Sequence, residues 1–290
     1  MEQEQLGKLL RIGGAAATVG VVSCVHAAAE LMPLGQIMAF RALISGFLIL
    51  LYGLCFKNPA DLLPKNGRPH LVRGLLACCA MVLSYIAFAR LPVSQAQTLL
   101  FLAPLVVLPI AMVSLGERLT ARSVVGLLTG FAGVLMILGL SFEIGPYAFW
   151  GAVAGIAGAV FVAIIQVKIR AMTMTETAIS ISLSFTLIVA CVTAPSIFLG
   201  SWVWPGGAGI SLLIAAGVFG ALNLVLFAES LARAPASAVA PLDYTGLIWA
   251  LLVDFLVFSQ APGPMGVLGS VLITIAALIV VLKPRGERGR

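Results

Sequence analysis

Charged side chains are scarce in this sequence. Asp, Glu, Lys and Arg make up 10% of its 290 residues, whereas they make up about 25% of a typical soluble domain. Hydrophobic residues make up 61%, so too little polar surface remains to cover a water-soluble globule. This composition excludes an ordinary soluble domain and indicates that lipid surrounds most of the chain.

Several catalytic motifs are missing as well. The sequence has no G-x-x-x-x-G-K-[ST] loop, no H-E-x-x-H and no G-x-S-x-G, which mark P-loop NTPases, zinc peptidases and α/β hydrolases. An ATP-driven pump is therefore not expected. No set of paired catalytic groups indicates an enzyme, and we expect no cofactor.

Cysteine chemistry is not indicated either. The five cysteines all fall within apolar runs, and none has C-x-x-C spacing or a nearby pair of histidines. Such cysteines are typical of small apolar packing residues, so neither a zinc site nor a disulfide framework is expected. They are Cys24, Cys55, Cys78, Cys79 and Cys191.

Ten apolar segments of about 20 residues fill the chain, and each is long enough to cross about 30 Å of hydrocarbon. The first is as long as the later ones, whereas a cleavable signal has a short apolar core, so we expect it to remain in the protein. The predicted spans are Leu9–Ala29, Leu34–Phe56, His70–Arg90, Val93–Leu115, Arg122–Phe142, Pro146–Val167, Glu176–Gly200, Ala208–Leu231, Ala236–Phe258 and Gly263–Leu282.

The basic residues predict the topology. With ten spans and a cytoplasmic N-terminus, 15 of the 17 Lys and Arg residues fall on the cytoplasmic side; Arg90 lies outside and Arg41 lies within a span. This bias satisfies the positive-inside rule and predicts that both termini are cytoplasmic. Because the net charge of +6 is spread between apolar runs rather than gathered in a patch, nucleic acid is not an expected partner.

An internal repeat divides the chain into halves. The sequence ARLPVS at 89–94 returns as ARAPAS at 232–237, an offset of 143 positions, and Gly126 corresponds to Gly269 at the same offset. Each half has five spans, so the second half enters the membrane from the opposite face. The predicted fold is an all-α polytopic membrane protein of two inverted five-helix repeats, 1–143 and 144–290, a plan found in secondary transporters.

Charged residues inside spans are candidates for the functional site. A charge at mid-membrane costs about 2.5–3.5 kcal/mol on insertion scales, so it should face a cavity or a partner. Arg41 lies in the second span, and Glu30 and Asp254 are at a compatible depth. Two interpretations stay open: a structural ion pair between helices, or an anchor for a substrate carboxylate.

Asp243 is the main candidate for a carboxylate in a cavity. It follows Pro241, where a proline weakens the helix. The alternative is a salt bridge from Asp243 to Arg233 near the inner surface.

Three further residues are candidates for coupling transport to protons. His26 and Glu30 are four positions apart and so share one helix face. They form either a titrating pair or an ordinary pair at the membrane surface. Glu229, near the inner end of the eighth span, is the third candidate.

Neutral polar and aromatic side chains complete the predicted binding site. The polar ones are expected to face the passage, and the aromatic ones to form its apolar walls. They are Gln97, Tyr85 and Asn223, with Tyr244, Phe101 and Trp249 as walls.

Other positions predict helix ends and helix packing. Glu117 follows the fourth span, and we expect it to cap the start of the fifth helix, where a carboxylate is favoured. The motifs Gly126-x-x-x-Gly130 and Gly151-x-x-x-Gly155 allow close helix approach, either within the chain or in a dimer. Both a monomer and a homodimer remain open.

These features together resemble a known family. Ten spans, an inverted repeat, Phe40-Arg41-Ala42 in the second span and Gly116-Glu117-Arg118-Leu119 followed by Gly126 and Gly133 resemble the EamA type of the drug/metabolite transporter superfamily. The second half departs from this pattern, with SQA at 259–261. The resemblance implies a central cavity formed by spans 1–4 and 6–9, with spans 5 and 10 at the periphery.

The predicted function is secondary transport of a small polar or zwitterionic metabolite, such as an amino acid, across the bacterial inner membrane by alternating access. Asp243 and Arg41 would contact opposite charges on the substrate. The resemblance also leaves open import of a larger cofactor-like metabolite, S-adenosylmethionine or riboflavin. A non-transporting membrane scaffold is a second alternative, and an intramembrane enzyme is a weaker third. The expected partners are a small-molecule metabolite and the lipid bilayer.

Overall fold

A computed structural model describes residues 2–139, 146–199, 202–258 and 263–282 of the chain. Within those residues the fold is all-helical, with three short 3₁₀ segments. The α-helices are α1 (Glu2–Ala29), α2 (Leu34–Phe56), α3 (Gly67–Arg90), α4 (Val93–Leu100), α5 (Ala103–Leu115), α6 (Ala121–Leu138), α7 (Pro146–Met172), α8 (Ala178–Thr193), α9 (Gly206–Arg233), α10 (Ala236–Val239), α11 (Thr245–Phe258) and α12 (Pro264–Val281).

The described residues form ten helical segments that are long and apolar enough to cross a membrane. Each coincides with one predicted span, and the largest difference is at the first, which begins at Glu2 instead of Leu9. The prediction of a polytopic all-α membrane protein is therefore confirmed. Two of the ten segments are interrupted helices, one made of α4 and α5 and the other of α10 and α11.

Proline explains both interruptions. α4 ends at Leu100, and α5 begins at Ala103 with Pro104 in its first turn. In the second half, Pro241 lies in a 3₁₀ segment, Ala240–Tyr244, between α10 and α11. Proline lacks the backbone N–H that an α-helix needs and clashes with the preceding turn, so the helix breaks there. Broken helices inside a membrane are tolerated where neighbouring groups or a cavity satisfy the freed carbonyls.

The helices pack in pairs that join the two halves. α1 lies along α9, α3 along α7, α6 along α12, and α2 against α8 and α9. Glycine permits the closest approaches: a Cβ added to Gly133 of α6 would lie 2.6 Å from the carbonyl oxygen of Gly269 in α12, and one added to Gly269 would lie 2.6 Å from the carbonyl oxygen of Gly133. Small residues are typical of such membrane interfaces.

Both glycine motifs identified in the sequence pack within the chain. Gly126 faces Val280 of α12, and Gly130 faces the ring of Tyr244. Gly151 faces the α3 end at Arg90. Of the two alternatives for these motifs, the contacts favour packing between helices of one chain.

Candidate functional site

A cavity of about 640 Å³ lies at the centre of the bundle. Six of the ten helical segments contribute to its wall, through α1, α3, the α4–α5 segment, α7, α9 and α11 with the 3₁₀ turn before it. Its polar and charged lining residues are Arg11, Thr18, Ser23, His26, Ser84, Gln97, Gln166 and Asp243. Apolar residues, including Leu100, Phe101, Val162 and Phe227, form the rest of the wall.

An ion pair lies at one end of this cavity. The Arg11 guanidinium donates two hydrogen bonds to the Asp243 carboxylate, one from Nε to Oδ1 and one from Nη2 to Oδ2 at 2.6 Å. Gln166 Nε2 donates to Asp243 Oδ2 at 2.9 Å. The guanidinium also lies over the Phe227 ring, 3.8 Å from its centroid. This bidentate geometry is the strongest form of an arginine–carboxylate contact.

Burial differs between the two partners. The Arg11 side chain is 2% exposed, and the Asp243 side chain is 19% exposed. The carboxylate is therefore the partner that the cavity can reach. Asp243 occupies this position because Pro241 breaks the helix, and the resulting 3₁₀ turn presents the carboxylate inward instead of continuing the α-helical face.

The cavity extends along α1 away from the ion pair. The residues Arg11 and His26 both line it, and fifteen residues of α-helix span about 22 Å. Arg11 is buried, whereas Thr18 and His26 are exposed. The cavity is thus closed at the N-terminal end of α1 and accessible towards its C-terminal end.

Polar contacts close the N-terminal end. Glu117, between α5 and α6, accepts hydrogen bonds from the backbone N–H of Ala236 and of Ser237, each at 2.9 Å, and from the Ser237 hydroxyl at 2.7 Å. Arg170 of α7 lies 3.7 Å from the Glu117 carboxylate and donates to the carbonyl oxygen of Leu231 at 2.7 Å. These bonds join the first half of the chain to the ends of α7, α9 and α10.

This arrangement corrects the expectation for Glu117. The first turn of α6 is capped by Thr120, whose hydroxyl accepts from the backbone N–H of Ser123 at 3.1 Å. Glu117 instead caps the start of α10 in the opposite half. A carboxylate is favoured at any helix N-terminus, whether that helix is near the carboxylate in sequence or far from it. The sequence alone does not show which of these helices the carboxylate caps.

A second, smaller cavity of about 210 Å³ contains Arg41. Its lining includes Ser45, Thr186 and Asn223. Asn223 Nδ2 donates a hydrogen bond to the Thr18 hydroxyl, and Thr18 lines the central cavity. This hydrogen bond therefore lies between the two cavities.

The structure separates the predicted substrate-binding residues. Asp243, Gln97, Phe101 and His26 line the central cavity, whereas Arg41 and Asn223 line the second one. Arg41 and Asp243 therefore do not share a cavity, and the expectation that they contact opposite charges on one substrate stays a prediction. Asp243 pairs with Arg11, and Arg233 pairs with Glu229 on its own helix, so the alternative of an Asp243–Arg233 salt bridge is wrong.

Two aromatic candidates lie outside the cavity lining. Tyr244 is fully buried, its hydroxyl donates to the carbonyl oxygen of Phe101 at 3.3 Å, and its ring packs against Phe101 and Phe131. It supports the wall from behind rather than facing the cavity. The buried indole N–H of Trp249 has no hydrogen-bond partner among the described residues.

The remaining candidates lie towards the surface. Tyr85 is 44% exposed and is within electrostatic range of Arg41. Glu30 is exposed beyond the end of α1, and no ion pair joins it to His26 among the contacts of the described residues. The Asp254 side chain and the SQA sequence at 259–261 lie outside the part of the chain that the structure describes.

Arg11 is the main residue that the sequence interpretation missed. The positive-inside rule places Arg11 with the cytoplasmic basic residues, although it lies two positions inside the predicted first span. That position could have identified Arg11 as a functional-site residue, since an arginine inside a span requires a partner. Gln166 could have been identified in the same way, because it is a polar amide inside an apolar helix.

Comparisons with known proteins now bear on this site. A family model for the EamA-like transporter family matches residues 5–139. The pseudopaline exporter CntI of Pseudomonas aeruginosa is 29% identical over 264 residues, which are 90% of this chain and 91% of that protein. The S-adenosylmethionine uptake transporter of Rickettsia felis is 26% identical over 229 residues, 78% of this chain and 76% of that protein.

A protein of known crystal structure has the same fold. It is 22% identical, superposes with a TM-score of 0.80, and the match covers 94% of this chain and 95% of that one. The predicted resemblance is confirmed by these comparisons together with the ten apolar helices. The chain is a multi-pass membrane transporter, and it is similar to the EamA type of the drug/metabolite transporter superfamily, whose family model matches residues 5–139.

Proposed function

We propose that this protein is a secondary transporter that moves a small polar or zwitterionic metabolite, an amino acid or a related compound, across the bacterial inner membrane by alternating access. The observation that carries the proposal is the Arg11–Asp243 pair at the closed end of the central cavity. Both termini are cytoplasmic in this proposal, as the positive-inside bias of the sequence predicts.

The ion pair offers both charges that a zwitterion needs. Asp243 Oδ2 accepts from Arg11 and Gln166, and a substrate ammonium group would compete for the same carboxylate. The released guanidinium would then hold a substrate carboxylate, for which its planar fork is suited. In the empty protein the two charges neutralise each other, which limits the cost of keeping them away from water.

The walls of the cavity suit a molecule of amino-acid size. Gln97 and Thr18 offer hydrogen-bonding groups, and Phe101 and Leu100 offer apolar surface. Pockets for small molecules are mostly apolar with a few well-placed polar groups.

Alternating access is supported by contacts that recur in the two halves: the contacting glycines are 144 positions apart and their partners 143, within one residue of the repeat offset. A Cβ added to Gly7 of α1 would meet the side chain of Arg233, and one added to Gly151 of α7 would meet that of Arg90. In the same way Gly14 faces Leu226 and Gly158 faces Leu83. In our proposal the halves 1–143 and 144–290 are inverted repeats, so exchanging their conformations would move the opening to the other side of the membrane.

A second candidate is import of a larger cofactor-like metabolite. The Rickettsia felis relative is an S-adenosylmethionine uptake transporter, and a cavity of about 640 Å³ lies within the range of sites for drug-sized ligands. S-adenosylmethionine also carries an amino acid end that the Arg11–Asp243 pair would suit.

A thermal-shift screen of the purified protein tests the proposal. The compounds are amino acids, amines, S-adenosylmethionine and riboflavin, and a ligand bound only by the folded protein raises its melting temperature. We expect at least one compound to raise the melting temperature of the wild type and to lose this effect in Asp243→Asn. Glu4→Gln, which removes a carboxylate outside the cavity, is the matched control and should retain the effect.

Two outcomes would contradict the proposal. One is that no compound of the panel shifts the wild type. The other is that Asp243→Asn responds as the wild type does. A membrane scaffold would give the first outcome, with Asp243→Asn altering assembly alone.

A further inference from the structure

Arg41 is half-buried and, unlike the buried Arg11 and Arg73, has no oxygen partner among the described residues. Its Nη2 contacts the Met38 sulfur at 3.6 Å, and its buried Nε has no hydrogen-bond partner among the described residues. Arg11 pairs with Asp243, and Arg73 donates to the carbonyl oxygen of Ile181 at 2.7 Å. A cation inside a span is costly unless something neutralises it, so an unpaired guanidinium in a cavity indicates a ligand.

We infer that the Arg41 cavity is a subsite for a carboxylate group, separate from the Arg11–Asp243 site. A guanidinium binds a carboxylate through two parallel N–H···O bonds. No acidic residue lines this cavity among the described residues, so nothing there repels an anion. Among the residues that the structure describes, Arg41 is the one cation in that lining, which suits the single charge of a carboxylate better than the two charges of a phosphate.

The neighbouring polar groups favour an acceptor ligand. The Ser45 and Thr186 hydroxyl hydrogens are already donated, to the carbonyl oxygens of Gly217 at 2.8 Å and Leu183 at 2.7 Å. The Asn223 amide gives one N–H to Thr18 and has a second N–H to offer. The free donors of the cavity are therefore Arg41 and Asn223, and both would bind oxygen acceptors.

The subsite has a defined relation to the central cavity. Thr18 is seven residues from Arg11 along α1, about 10 Å of α-helix. The Thr18–Asn223 hydrogen bond joins a residue of one lining to a residue of the other. This step rests on the proposed function. If that function holds, the transported molecule carries a further carboxylate, in addition to the groups that bind Arg11 and Asp243.

Two small probes test the subsite without knowledge of the substrate. Propionate carries the carboxylate, and propionamide has nearly the same shape without the charge. The melting temperature of the full-length purified protein is measured over a concentration series of each, with ionic strength matched by sodium chloride. We expect propionate to raise the melting temperature of the wild type and propionamide to leave it unchanged.

Variants locate the effect. We expect Arg41→Met to lose the propionate response and Arg41→Lys, which keeps the charge without the fork, to reduce it. Glu4→Gln, which removes a carboxylate outside both cavities, should retain the full response. Without ligand, Arg41→Met should melt no lower than the wild type, since it removes an unpaired charge. Arg73→Met, the matched control, should melt lower because it removes a partnered arginine.

Several results would overturn the inference. They are the absence of a propionate response in the wild type, an equal response to propionamide or to chloride, and a full response in Arg41→Met. Loss of the response in Glu4→Gln would show that the propionate effect does not arise at Arg41. The proposed function is judged by the metabolite screen instead, so either claim can fail while the other stands.

Discussion

At the scale of single residues, the main feature is a charge pair held between the two halves of the chain. Arg11 and Asp243 are 232 positions apart in sequence. Burying both charges is unfavourable, and their pairing compensates for it only while both partners are present. Removing one partner is therefore more damaging than removing both.

A double-mutant cycle tests this pair. Arg11→Met should lower the free energy of unfolding by about 2–4 kcal/mol, because it leaves the Asp243 charge without its strongest partner. The double variant Arg11→Met/Asp243→Asn should be at least about 1 kcal/mol more stable than the sum of the single effects. Denaturant unfolding in detergent measures all four proteins. Strictly additive losses would show that the contact does not couple the two residues.

Sequence could indicate one partner of this pair but not the pairing. Asp243 stood out because it follows Pro241 in an apolar run. Arg11 has no such local feature, since basic residues are also expected at the cytoplasmic ends of spans. Arg233 was the plausible partner from chain proximity, but it pairs with Glu229 four residues away, as neighbouring charges on one helix commonly do.

At the scale of helices, the ends of the broken segments determine which end of the cavity is closed. Glu117 holds the first two backbone N–H groups of α10 and the Ser237 hydroxyl. Because the carboxylate comes from the other half of the chain, this cap is also a contact between the halves. Opening the cavity at this end requires these hydrogen bonds to break.

Hydrogen exchange tests the cap. Glu117→Ala should speed exchange at the amides of Ala236 and Ser237 by about ten- to a hundredfold, since a hydrogen bond to a charged group contributes about 1.5–3 kcal/mol. Exchange detected by mass spectrometry on peptides covering 232–239 measures the rate. Glu229→Ala, which removes a carboxylate at the same end of the bundle, should leave these amides unchanged. Equal exchange in both variants would contradict the role of Glu117.

The α6–α12 contact has a separate test. Gly133→Ala should lower the free energy of unfolding by about 1–3 kcal/mol, because overpacking forces the backbone to shift. The added Cβ would lie 2.6 Å from a backbone oxygen, which cannot move as a flexible side chain can. Gly207→Ala in the first turn of α9 is the control, since a Cβ there meets nothing within 4 Å. Equal stability of the two variants would show that α6 and α12 do not pack so closely.

Sequence predicted these helices well and their ends less well. Hydrophobic length alone gave ten spans, and the prolines at 104 and 241 explained the interruptions. The cap by Glu117 was assigned to the helix next to it in sequence. Its true partner, the start of α10, is 119 positions away in sequence. No pattern of neighbouring residues predicts a contact between residues so far apart.

At the scale of the whole molecule, two halves enclose one central cavity with a charge pair at its closed end. The family resemblance implied lining by spans 1–4 and 6–9. The central cavity uses spans 1, 3, 4, 6, 8 and 9, and the Arg41 cavity adds spans 2 and 7. Spans 5 and 10, formed by α6 and α12, pack on each other and line neither cavity. The plan of the molecule was thus predictable, whereas the division of the polar residues between two cavities was not.

Exchange transport in proteoliposomes is the most direct test of the account. Vesicles are loaded with a compound found in the thermal-shift screen, and uptake of the same compound in labelled form is followed over time. We predict rapid exchange by the wild type and by Glu4→Gln, and at least a tenfold slower exchange by folded Asp243→Asn, about 1.4 kcal/mol in the transport barrier. Wild-type protein that binds the compound without exchanging it, or Asp243→Asn that exchanges it at the wild-type rate, would contradict a transporter whose substrate binds at this carboxylate.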